Sequence, residues 1–138
     1  MIAKQDGNNF VLILKKGEKL VQSLENFAKT ESIKSAWVNG LGAVLEAEVG
    51  YYRLDTKDYH FVQLDSILEI VSLNGNISQF DNGPLAHLHT VLSDEGMKTY
   101  GGHLKEGVAG GTVELYIKTI NTVLERKPDE ETGLKLIS

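Results

Sequence analysis

The first regular pattern along the chain is an apolar run, Phe10 to Leu14, within "NNFVLILKKGE". Its β-rich composition predicts an opening strand. The period then changes. In "EKLVQSLENFAKT" the apolar residues Leu20, Val21, Leu24, Phe27 and Ala28 fall at i, i+1, i+4, i+7 and i+8. That spacing draws one apolar stripe along an amphipathic helix. Everything after it reads mostly as strand: "SAWVNG", "AVLEAEVGYYRL", "YHFVQL", "LEIVSLNGNISQF", "PLAHLHTVLS", "YGGHLKE" and "TVELYIKTINTVLE". Turn signals separate these runs at Gly40, Gly42, Asp55 to Asp58, Asp81 to Pro84, and Gly107 to Gly111. The last piece, "ERKPDEETGLKLIS", predicts a loop followed by a short docked tail ending in Leu134, Leu136 and Ile137. One helix cannot supply several parallel crossovers. The expected class is therefore α+β, a helix packed on a central antiparallel sheet, in one domain covering residues 1–138.

Composition narrows the function classes. At 138 residues the chain can bury a core without disulfides or a structural metal. It has no cysteine, which excludes disulfides, thiolate zinc sites and cysteine nucleophiles. No apolar run is long enough to span a membrane, and "MIAKQDGNNF" has no apolar signal core, so a cytoplasmic location is expected. The net charge is −5, with 14 Lys and Arg against 19 acids, and the arginines are only Arg53 and Arg126. DNA binding would need a local basic patch, and no basic block or arm is visible. Gly40-x-Gly42 lacks the third glycine of a dinucleotide fingerprint and reads as a tight turn. No phosphate-binding loop and no nucleophile elbow is present.

The chemistry-bearing stretch is "HLHTVLSDEGMKTYGGHL", which holds three of the four histidines. Side chains alternate along a strand, so His87 and His89 share a face. A hairpin turning near Gly96 pairs residues equidistant from it. His89 then faces His103, with His87 diagonal to both. Opposed Cβ atoms lie ~5 Å apart and diagonal neighbours ~7–8 Å. A single ion is within reach, since Zn–N bonds are about 2.0–2.1 Å. A register slip of one residue would send His103 to the other face. Three neutral imidazoles suit zinc, and also copper, iron or nickel, and leave one position open for water or a ligand. Equally, they fit ordinary polar residues of a half-exposed strand. Glu69 sits inside an apolar strand; it reads as a solvated side chain or as a carboxylate aimed into a cleft near the histidines, for acid/base work. His60 reads as a surface residue, and Tyr51, Tyr52 and Phe61 as core or interface residues.

Taken in order, "KKGEKLVQSLENFAK", "SAWVNGLGAV", "GYY", "LEIVSLNGNIS", "HLH", "GGHL", "TVELYI" and "TGLKLI" make the chain resemble the plant and prokaryote conserved (PPC) domain family. The resemblance covers nearly the whole chain. It implies an α+β fold with a central antiparallel sheet, a homotrimer, and the family's customary DNA-binding label. It also implies a metal, commonly zinc, on His87, His89 and His103. The AT-hook of the plant members has no counterpart here. The fold so implied is similar to that of acetolactate decarboxylases, zinc enzymes in which an H-x-H pair precedes a third histidine. A cupin pattern does not match, because the glutamate after the pair, Glu95, falls in the predicted turn. Three functions follow as expectations. The first is a trimeric DNA-binding or regulatory module with a three-histidine metal site, with a small-molecule ligand at the metal as a further expectation. The second is a small zinc enzyme acting on a carbonyl or carboxylate, with Glu69 as proton carrier. The third is a structural assembly.

Overall fold

Two long strands organise the computed structural model, which describes all residues 1–138. They are β3 (Ala36–Arg53) and β7 (Thr99–Thr119), and they pair antiparallel along most of their length, from Ala36↔Thr119 to Gly50↔His103. Each was expected as two strands split by glycine turns. The glycines instead mark irregularities within continuous strands. Gly42 has φ +134°, and a Cβ there would run into the Thr112 carbonyl oxygen. At Gly110 a Cβ would meet the Val44 backbone at 3.0 Å. Without side chains at these points the two backbones cross closely where a larger residue would push them apart.

The remaining strands hang on this pair. They are β1 (Ile2–Asp6), β2 (Asn9–Lys15), β4 (Asp58–Leu64), β5 (Leu68–Phe80) and β6 (Gly83–Ser93). The sheet order is β1-β2-β7-β6-β5-β3-β4, and the added β7–β3 pairing closes β3, β5, β6 and β7 into a ring. All these ladders are antiparallel. The expected sheet is thus present, but it curls on itself. The two-residue turn between β5 and β6 has positive φ at both Asp81 (50°) and Asn82 (63°), the signature of a type I′ hairpin. That turn fixes Asn76 opposite His87 and Asn74 opposite His89.

The predicted helix forms as α1 (Leu20–Thr30) and buries Leu20, Leu24, Phe27 and Ala28, the apolar stripe. It packs on β6 and β7. Lys19 offers no side-chain cap. The Glu106 carboxylate of β7 caps the helix instead, accepting the Val21 N–H at 2.7 Å and the Gln22 N–H at 3.1 Å. Phe10, Leu12 and Leu14 of β2 and Val113, Leu115 and Ile117 of β7 complete one core of 25 buried residues. Burying a leucine or phenylalanine contributes about 1.5–3 kcal/mol, so this cluster carries the fold.

Residues 120–125 do not extend β7 as expected; they form a loop tied down by Gln79 N–H to the Leu124 carbonyl and Leu124 N–H to Ser35 Oγ. The tail folds into a small hairpin, β8 (Arg126–Pro128) with β9 (Lys135–Ile137), lying near β5. β1, which has no alternating apolar pattern, pairs on the edge with β2. No helix is long and apolar enough to cross a membrane.

Candidate metal centre

The register puts His89 opposite His103, with His87 two residues before His89 on β6. All three rings share one face, and each offers a nitrogen within 4.8 Å of those of the other two. Ring centroids are 5.1 Å apart for His87–His89, 5.2 Å for His87–His103 and 5.7 Å for His89–His103. His87 and His103 are half-buried and His89 is exposed. Behind them, Tyr59 packs on His103 at 5.0 Å, with Phe61 stacked on Tyr59.

Electrostatics keep two of the rings neutral. Burial, then the charge of Arg126 and the two neighbouring histidines, lowers the His87 pKa from its usual value to about 4. Burial, then His89 and Arg126, lowers that of His103. Neutral imidazole is the form that ligates a metal. The Nδ1 atom of His103 is buried and has no hydrogen-bond partner. Buried polar atoms are rarely left so, and an orphaned one calls for an explanation such as an ion. The residues therefore fit a bound transition metal on two counts: an all-nitrogen donor set and an unsatisfied ring nitrogen on one of its members.

The structure brings to this site residues that sequence patterns did not mark. Arg126, from β8, donates to His87 Nδ1 (3.2 Å), Asn76 Oδ1 (3.0 Å) and Ser78 Oγ (2.7 Å), and through a third nitrogen to the Lys135 carbonyl (2.7 Å). The His87 contact requires Nδ1 to be unprotonated. Asn76 and Ser78, buried polar residues of β5, thus orient the guanidinium. The only sequence signal for Arg126 was its rarity, one of two arginines. The histidines His87 and His103 open onto a cleft of about 720 Å³ between α1, the β3–β4 connection and the β8–β9 hairpin.

Glu69 is not brought to this site. It pairs with Ala43 on β3 and Ser93 on β6, is exposed, and lines neither the cleft nor the cluster. The reason is its place on the ladder: His87 and His89 face Asn76 and Asn74, and an irregularity between Ile70 and Ser72 separates Glu69 from them. His60 is exposed on β4 opposite Tyr51, away from the other histidines.

The model of the Plants and Prokaryotes Conserved (PCC) domain matches residues 1–121. A metal-containing protein from Archaeoglobus fulgidus is 34% identical, with a TM-score of 0.89 over 100% of this chain and 99% of its own. A Bacteroides thetaiotaomicron protein described as a "putative DNA binding protein" is 26% identical, with a TM-score of 0.95 over 99% of this chain and 96% of its own. The bifunctional protein GlmU of Synechococcus sp. (strain JA-3-3Ab) is 33% identical over 90% of this chain. The chain spans 19% of the length of that curated relative. A Staphylococcus aureus protein similar to α-acetolactate decarboxylase shares the fold at a distance, with 14% identity and a TM-score of 0.59 over 89% of this chain and 55% of its own.

Proposed function

Since the chain belongs to the Plants and Prokaryotes Conserved domain family, we propose that it is a homotrimeric regulatory module of the cytoplasm. In this reading it binds zinc, or another divalent transition metal, through His87, His89 and His103. The observation that carries this reading is the convergence of three ring nitrogens within 4.8 Å, beside which His103 has a buried and unpartnered Nδ1. The metal-containing relative from Archaeoglobus supports it. Such an ion would supply a Lewis acid with an open coordination position. The chain's own part is to hold the three rings. The paired register of β6 and β7 sets their spacing, and Tyr59 backs His103. Elemental analysis tests this: zinc at one equivalent per chain is expected in the wild type and a loss of most of it in His89→Ala. Equal metal in both would overturn the reading.

Trimer formation is supported by apolar residues on the outside of the closed sheet. Trp37 (47% exposed) and Leu41 (56%) alternate outward on β3, and Tyr116 (39%) projects from β7 beside Asn39. Light scattering on the purified chain checks the mass, with a monomer as the overturning result. DNA as the partner is a second reading, supported by the Bacteroides relative. Against it stand the net charge of −5 and the ion pair of Arg53 with Asp58 at 3.7 Å. No duplex binding at low salt would remove it. The enzyme reading is favoured by one observation, the open cleft beside the histidines. With Glu69 outside that cleft, the titratable group packed on the cluster is Tyr59.

A further inference from the structure

The cleft beside the histidines has an uneven charge pattern. Three carboxylates line it, and each is engaged elsewhere. Glu106 caps α1, Glu25 accepts the Ala86 N–H at 3.0 Å, and Asp58 pairs with Arg53 at 3.7 Å. Among the cations, Lys105 pairs with Glu48 at 3.0 Å and Lys135 lies over the Phe80 ring at 4.1 Å. Lys57 donates to the Glu130 carbonyl at 2.7 Å. Arg126 is different. It is half-buried and forms no salt bridge. All four of its acceptors are neutral: Ser78 Oγ, Asn76 Oδ1, His87 Nδ1 and the Lys135 carbonyl.

A guanidinium keeps its charge under any ordinary condition, so taking it out of water without a counter-charge is costly. In a chain with 19 acids and 14 cationic residues a carboxylate partner would have been easy to supply. Instead Asn76 and Ser78 hold the fork in place while leaving its charge unmatched. Such a group is built to receive an anion. The walls on either side are apolar or aromatic: Tyr59, Leu85, Leu134 and Leu136. A dianion would face the three carboxylates of the cleft, whereas a monoanion with an apolar body matches both the one half-buried unpaired cation and the walls.

We propose that this cleft is a binding site for a small organic carboxylate, its head group held by Arg126 beside His87 and its body laid against Tyr59, Leu85 and Leu134. Residues 122–138, which carry Arg126 and Leu134, lie beyond the segment matched by the family model. The site names a ligand class for the cleft of the preceding reading, and rests on that reading only for what a metal would add. Arg126 needs no metal to bind an anion.

The test uses the full chain stripped of metal by a chelator, with benzoate as probe and benzamide as its uncharged counterpart, followed by shifts of backbone amide resonances. Benzoate is expected to bind the wild type at least about tenfold more tightly than benzamide, as a charge-assisted contact to the one N–H of Arg126 that the protein leaves free requires. Arg126→Gln should weaken benzoate about tenfold or more and leave benzamide unchanged, and Arg126→Lys should restore part of the difference. Equal binding of benzoate and benzamide would overturn the proposal, as would an Arg126→Gln protein that binds benzoate like the wild type. Inorganic phosphate that competes as well as benzoate would overturn the organic character of the ligand. If Arg126→Gln does not fold, the benzoate–benzamide ratio in the wild type decides alone. His89→Ala separates the two readings: it should lose metal and still bind benzoate. A wild type without metal ends the metal reading and leaves the benzoate result standing.

Discussion

The two halves of β7 are one strand with opposite chemistry. From Val113 to Ile117 every second residue is buried and apolar, and β2 and β3 flank the strand on both edges. From Thr99 to Glu106 the alternation lapses around Gly101, Gly102 and His103, and the strand borders an open cleft. The first half buries surface and leaves no polar group wanting. The second holds a ring nitrogen without a partner and lines the same cleft as an arginine without a counter-ion. Stability is concentrated where the pattern is monotonous, and chemistry where it breaks. The strand joins the two so that the rigid half positions the reactive one.

The sharpest way to break that comparison is to damage the core half and watch the other. Leu115→Ala removes a fully buried side chain and is expected to cost about 2–5 kcal/mol, read by denaturant unfolding. Metal and ligand binding should fall only as the folded fraction falls. Next is Gly42→Ala, at the close crossing of β3 and β7, where φ +134° is a glycine conformation. About 1–3 kcal/mol of destabilisation is expected; an unchanged midpoint would mean that the crossing relaxes. Glu106→Ala removes the cap of α1 from the cleft side and should cost about 0.5–2 kcal/mol. It links the halves, since it touches both the helix and the cleft. His89→Ala, on the exposed end, should leave the unfolding midpoint of metal-free protein unchanged while abolishing metal uptake. A loss comparable with that of Leu115→Ala would show that the two halves are not separable.

The last effect is in pH. The folded-state pKa of His87 lies at about 4, below the ordinary histidine value of 6.5. The unfolded chain therefore binds more protons between these values, and its contribution to stability, complete above pH 6.5, is lost as the pH falls toward about 4. Burial makes His103 add in the same direction. Thermal unfolding of metal-free protein across that window should show the decline, and His87→Gln should flatten it.

Much of this was legible from residues alone, for local reasons. The stripe Leu20, Leu24, Phe27 and Ala28 has a single helical solution, and it is the buried face of α1. The pairing of His89 with His103 follows from alternation and a turn centred on Gly96, and that register is found. The misreadings share one cause. Gly40, Gly42 and the Gly107–Gly111 cluster look like turns, because a glycine that permits close backbone approach and one that permits a turn are the same residue. Which use applies is decided by the facing strand, far away in sequence. Arg126 was invisible for the same reason. It meets His87 from 39 positions away, through a hairpin whose residues carry no periodic signal. Glu69 illustrates the converse: a carboxylate in an apolar run attracts notice, yet its side chain simply faces solvent.

The small hairpin of β8 and β9 has a consequence for motion. Two paired strands of three residues each cannot persist in water by themselves. This pair is moored to the body by Arg126, through Ser78 and Asn76, and by the bond from Gln79 N–H to Leu124. The cleft wall is therefore only as long-lived as its moorings, and one of them is the same guanidinium that faces the cleft. Amide hydrogen exchange along Arg126–Pro128 and Lys135–Ile137 becomes a clock for the arginine, fast when it swings free and slow when an anion fixes it.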